Sequence, residues 1–231
     1  ILVNPQLGEN IGSCARAMKN FGFSNLNIVS PRDSWPNTKA RMTSVGAYDI
    51  IKSAKIHKDV TNAVKKFDLV FAASARNRDI NKKYLSITNL TKLLFKHKKS
   101  KIGIMFGPEA SGLSNYDLSL SNFIIQIPTS KKLTSLNLSH AVIVVCYEIY
   151  KSLHFSKFKK EKILSKLASK NSIKNLTKFL ENKLDSKKFF KPPEKKKSMI
   201  LNINNIFGRL ELSDKEMRIL FSIFSTLNKK D

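Results

Sequence analysis

Acidic residues are the first thing this chain has little of: 17 Asp and Glu stand against 42 Lys and Arg in 231 residues, a formal net charge of +25. Such a balance favours polyanionic partners, nucleic acid first, because each phosphate neutralised releases counterions. The chain is also rich in Lys, Asn and Ile, which nucleotide bias alone can produce, but that bias enriches acids as readily and leaves the surplus unexplained. The two cysteines, Cys14 and Cys146, lie far apart and have no ligand spacing with the histidines. Neither a disulfide framework nor a metal site is therefore expected, and both read as small buried hydrophobes in a reducing compartment. No apolar run approaches the roughly 20 residues that span a bilayer, and no signal-peptide pattern opens the chain, so the expectation is a cytoplasmic protein without a membrane partner. The eight glycines form neither a Walker-type nor a dinucleotide motif, which counts against a nucleotide hydrolase or a dehydrogenase. Ile1 opens what reads as the end of a strand, as in an N-terminally trimmed chain.

Short apolar runs alternate with helical patterns. Leu2 and Val3, Leu26 to Val29, Leu69 to Ala73, Ile102 to Phe106 and Phe123 to Ile127 read as strands. Helices are expected from Asn10, as its cap, to Phe21 with Gly22 closing it, then over Pro36 to Ser44, Val60 to Phe67 and Leu85 to Phe95, with Ser74 to Lys83 a polar loop. Apolarity from Leu136 to Tyr150 is too long for a strand and predicts a buried helix. This alternation predicts an α/β fold with a mostly parallel sheet covered on both faces. Beyond Tyr150 the chain turns lysine-rich, and residues 156–170 read as a basic linker. A helical extension over 171–231 follows, its last helix opened by the capping-box pattern Ser213 to Glu216.

The stretch from Phe106 to Tyr147 organises the rest. Two polar loops, Gly107 to Gly112 and Pro128 to Asn137, each follow an apolar run. In open α/β sheets ligands settle beyond the carboxyl ends of strands, so the two loops predict one pocket.

The segments FGPEASGL from Phe106, IPTSKKLTSLNLSHAV from Ile127 and NPQLGENIGSCARAMKNFG from Asn4 resemble the three motifs of the SpoU-type RNA ribose 2′-O-methyltransferases of the SPOUT superfamily. The resemblance covers residues 1–155 and implies a C-terminal trefoil knot, S-adenosylmethionine held in the knot loops, and a homodimer with facing knots. In the tail, MILNINNIFGRLELSDKEMRIL resembles the helical extension of the branch that methylates the ribose of cytidine or uridine in the tRNA anticodon loop, at position 32. Alternatives are a SpoU-type enzyme acting on rRNA or another tRNA nucleoside, and a non-catalytic RNA-binding scaffold.

Without the resemblance, Arg16 on the polar face of its helix is a solvated residue, Asn10 a cap, Glu109 a loop carboxylate, and Ser135 and Asn137 capping groups. By resemblance Asn10, Arg16, Glu109, Ser135 and Asn137 take the catalytic positions, with Glu109 steadying Arg16 or holding a hydroxyl. A guanidinium keeps its proton to above about pH 12, so Arg16 suits phosphate clamping and alkoxide stabilisation better than base catalysis. The cofactor would rest on Phe106, Gly107, Glu109, Gly112, Leu113, Ile127, Ser135, Leu136 and Leu138. Arg16, Arg76, Arg78, Lys131 and Lys132 would meet RNA. His140 stands where relatives carry other residues, and a packing or surface role is expected.

Overall fold

A computed structural model describes residues 1–75, 81–155 and 167–227. Its seven strands are β1 (Leu2–Val3), β2 (Asn27–Val29), β3 (Lys55–His57), β4 (Leu69–Ala73), β5 (Lys83–Ser86), β6 (Ile102–Phe106) and β7 (Phe123–Gln126), in one sheet ordered β3-β2-β1-β6-β4-β7-β5. Every pairing among them is parallel. Parallel neighbours need crossovers, and helices supply them: α1 (Gly8–Asn20), α2 (Thr38–Thr43), α3 (Tyr48–Lys52), α4 (Val60–Val64), α5 (Ile87–Lys96), α6 (Asn115–Ser119) and α7 (Leu138–Phe155).

Alternation along the strands divides the core into two layers. Leu69 and Phe71 pack with Ile11, Cys14, Leu90 and Val142 on one face, where Phe71 stacks on Phe123 at 5.6 Å. Val70 and Ala72 pack with Val60, Ala63 and Leu118 on the other. Both faces are covered, as the alternation of elements predicts. Among the described residues no helix is long and apolar enough to cross a membrane.

Three local expectations are corrected. Lys83 to Ser86 is a strand, not loop and helix; the helix opens at Ile87, with the Ser86 hydroxyl accepting from the Asn89 backbone N–H at 3.3 Å. Lys55 to His57 is also a strand. Helix α1 begins at Gly8, so Asn10 lies in its first turn and does not cap it. Gly22 does close α1, with φ of 75°. The missed reason for glycines in α1 is proximity to α2. A Cβ on Gly12 would stand 2.3 Å from the Ala40 carbonyl oxygen and 2.1 Å from Thr43 Oγ1.

Three further helices, α8 (Lys170–Ser186), α9 (Lys196–Arg209) and α10 (Asp214–Thr226), share their own core around Ala168, Ile173, Leu176, Phe207 and Met217. The expected capping box is present: Ser213 Oγ accepts from the Glu216 N–H, and the Glu216 carboxylate accepts from the Ser213 N–H at 2.6 Å. Polar contacts fasten this unit to the sheet. The Lys170 N–H donates to the Phe67 carbonyl at 2.7 Å, and buried His97 pairs with Glu211 at 2.8 Å. Arg209 of α9 donates from Nη1 to the Asn81 carbonyl at 3.4 Å. Most of the expected linker, residues 156–166, lies outside the described residues.

Candidate active site

Strands β6, β4 and β7 are adjacent, so the loops that leave their carboxyl ends converge. They line a cleft of about 250 Å³. The first loop contributes Gly107 to Gly112, the second Thr129 and Thr134 to Leu136, and the end of β4 with the two residues after it adds Ala73 to Ala75, a wall that sequence reasoning missed. The second loop is tied across its mouth by Thr129 Oγ1, which donates to the Thr134 carbonyl at 3.0 Å.

Gly107 sets the shape of the first loop. A Cβ there would meet the Leu113 nitrogen at 2.3 Å and the Gly112 carbonyl carbon at 2.5 Å. Both are backbone atoms, so any side chain would force the loop open. Gly112, at φ of 67°, holds the left-handed turn that brings the chain back.

Beside this cleft the three motif segments meet in one hydrogen-bonded chain. Half-buried Glu109 accepts from the Gln6 backbone N–H at 2.9 Å and from Asn10 Nδ2 at 2.7 Å. Asn137 Nδ2 donates to Asn10 Oδ1 at 3.1 Å. Asn137 Oδ1 in turn accepts from the Ser139 N–H at 2.9 Å, while the Asn137 carbonyl receives the first bond of α7. Glu109 thus supplies, from a distant loop, a carboxylate at the start of α1, where the helix dipole favours it. Asn10 is 8% exposed, and its amide is the link between Glu109 and Asn137.

Of the expected site residues, Phe106, Gly107, Glu109, Gly112, Ile127, Ser135, Leu136 and Leu138 all line the cleft. Leu113 does not: its side chain is 1% exposed and packs in the core, and only its backbone nitrogen approaches Gly107. Asn10 and Asn137 are not among the lining residues and belong to the hydrogen-bonded chain beside the cleft. Arg16 is exposed on α1, as its place on the helical wheel requires, and makes no hydrogen bond or ion pair among the described residues. The expected contact between Glu109 and Arg16 is not formed; Asn10 and Gln6 hold Glu109 instead. Lys131 and Lys132 are exposed on the second loop and His140 is exposed on α7, whereas Arg76 and Arg78 lie outside the described residues. Burial pushes both thiols up, Cys146 to about 11, which keeps them protonated near neutral pH and unsuited to nucleophilic work.

The sequence profile of the SpoU rRNA Methylase family matches residues 1–147, the segment that contains the whole cleft and the hydrogen-bonded chain. The chain belongs to this family. This SpoU-family chain is 38% identical over 229 residues to the tRNA (cytidine-2′-O-)-methyltransferase TrmJ of Methanocaldococcus jannaschii, covering 97% of this chain and 96% of the relative. It is 31% identical over 240 residues to the tRNA (cytidine/uridine/adenosine-2′-O-)-methyltransferase TrmJ of Pseudomonas aeruginosa, covering 99% and 93%. The crystal structure of TrmJ from Z. mobilis ZM4 superposes with a TM-score of 0.88 at 33% identity, covering 99% of this chain and 97% of that one. Likeness over such spans includes the three C-terminal helices as well as the sheet.

Proposed function

We propose that this chain transfers a methyl group from S-adenosylmethionine to the ribose 2′-hydroxyl of cytidine or uridine in the tRNA anticodon loop, at position 32 by family resemblance. The observation that carries the reading is the chain Glu109–Asn10–Asn137, which joins all three family motifs beside one cleft. The names of the TrmJ relatives supply the tRNA and the ribose. We assign residues 1–155 to the catalytic unit, knotted as in its family, and 171–231 to an appended helical unit.

The cleft fits the cofactor. Gly107 lets the first loop fold back on its own backbone and Gly112 holds the left-handed turn that returns it, Ile127, Leu136 and Leu138 offer apolar walls, and Ser135 and Glu109 offer polar contacts. Its volume of about 250 Å³ lies near the lower bound of ligand pockets, roughly 300 Å³. When bound, S-adenosylmethionine supplies a methyl group already activated by its sulfonium. The protein then has to align the hydroxyl and stabilise the charge that develops on its oxygen. Glu109, fixed by two donors, gives the cleft a rigid polar wall for that alignment, and Asn137 is tied to it through Asn10. Arg16, exposed and without a partner among the described residues, can bind a backbone phosphate and face the developing alkoxide.

Arg16 does not line the cleft of its own chain. A homodimer with facing knot regions would let Arg16 of one subunit serve the cleft of the other, and we take the site to be shared in this way. The chemistry is tested with tRNA transcripts carrying either ribose or 2′-deoxyribose at position 32. Methyl incorporation is expected into the first alone; equal incorporation into both would remove the ribose hydroxyl as acceptor.

A further inference from the structure

A second cavity, of about 150 Å³, lies where the C-terminal helices meet α4 and α6. It borders the chain ahead of β4, at the end of the sheet opposite the cleft described above. Lys170, Lys174 and Lys178 repeat every four residues and so share one face of α8, and all three line the cavity, facing Lys65 at the end of α4. Among the described residues Glu181 is the single carboxylate that lines the cavity, and none of these four lysines forms an ion pair. Among the described residues the Lys65 ammonium has only Asn62 Oδ1, at 3.4 Å.

Lys170 is the telling member. It is 7% exposed, yet its ammonium, with three protons to donate, has one acceptor among the described residues, the Gly208 carbonyl at 3.4 Å. Burial first, and the like charge of Lys82 second, hold the Lys170 pKa well below the usual lysine range. A buried ammonium without a counter-charge is costly, and an anion in the cavity would remove that cost. Thr177 and Asn204 add neutral polar groups to the same walls.

We propose that this cavity is an oxyanion site that takes a phosphate group, either free inorganic phosphate or a backbone phosphate of bound RNA, and that the phosphate fastens α8 to α4 and α6. The site stands apart from the methyl-transfer reading, and its test does not use activity. Thermal unfolding of the full chain is followed in sodium phosphate and in sodium chloride at matched ionic strength, for the wild type and for Lys174→Gln/Lys178→Gln. Both substituted lysines are exposed, so the variant should fold. At phosphate about tenfold above its dissociation constant the wild type should gain about 3–6 °C over chloride, and the variant should lose most of that gain. The comparison with the variant removes the general stabilisation that phosphate gives through exclusion from protein surfaces.

Titration of tRNA against both proteins identifies the source of the phosphate. A tenfold or greater loss of affinity in the variant, with a shallower salt dependence, assigns the site to the RNA backbone; unchanged affinity beside the lost thermal gain assigns it to free phosphate. A wild type without the gain, or a variant that keeps it in full, overturns the proposal.

Discussion

Arg16→Ala separates stability from chemistry more cleanly than any other single change. Arg16 is exposed and has no partner among the described residues, and alanine suits a helix interior at least as well as arginine. The folding free energy should therefore change by no more than about 0.5 kcal/mol, which is a shift of about 1–2 °C in the unfolding midpoint of a chain this long. Cofactor affinity should stay within a few fold, because Arg16 does not line the cleft. Methyl transfer should nonetheless fall about 10²–10³-fold, the effect of removing one preorganised group that faces developing negative charge. The assay is single-turnover methyl incorporation into tRNA at saturating cofactor, beside calorimetric unfolding. Arg16→Lys should recover only part of the rate, since it restores the charge without the two-pronged donor geometry. Near-normal turnover in Arg16→Ala would refute the role assigned to it. A loss of several degrees in the midpoint would refute the claim that the residue is free of the fold.

Asn10→Ala should behave in the opposite manner. It removes a bond to the Glu109 carboxylate and one to the Asn137 amide, together about 2–4 kcal/mol, so the midpoint should drop by roughly 5–15 °C along with the rate; an unchanged midpoint would show that the hydrogen-bonded chain holds nothing in place. The buried Lys82 makes stability depend on pH. Burial, with the Arg209 charge second, lowers its pKa from 10.5 to about 7, so between these values the unfolded chain binds the extra proton and stability rises with pH, by up to about 1.4 kcal/mol per unit. Lys170 contributes with the same sign. Below about pH 7 the Lys82 contribution is constant. Unfolding free energies from pH 6 to 10 should show this rise, and Lys82→Met should make it shallower, leaving the Lys170 part; parallel curves for the two proteins would rule Lys82 out as a source.

Residues buried on both sides of the sheet were legible in the sequence. The apolar runs that became β4, β6 and β7 and the long helix α7 fell where expected, and so did the pocket at their carboxyl ends. The two strands that escaped notice, β3 and β5, are the two edges of the sheet. Their sequences, KIH and KYLS, carry lysine and little apolar alternation. Edge strands are blunted by charge to prevent pairing with other chains, and that removes the pattern by which strands are read. The misplacement of Asn10 has a different origin. Local reasoning sees a cap in an asparagine before an apolar helix face, whereas the bond that fixes this one comes from Glu109, 99 residues away. Leu113 illustrates a third limit: its place beside Gly112 in the motif suggested the cofactor cradle, but the direction of its side chain, into the core, is set by packing. The spacing of Gly8 and Gly12 was visible in the first motif and could have been read as a close approach of two helices, which is what α2 provides.

The central claim is methyl transfer to a ribose hydroxyl of tRNA. Its most direct test is incubation of the protein with S-adenosylmethionine and unmodified bulk tRNA, followed by digestion and analysis of the nucleosides. Appearance of 2′-O-methylcytidine or 2′-O-methyluridine, absent without the protein, is the expected result. Methylation of rRNA but not tRNA would keep the chemistry and discard the substrate, while no transfer to either RNA and no binding of S-adenosylmethionine would contradict the account and leave a basic RNA-binding scaffold.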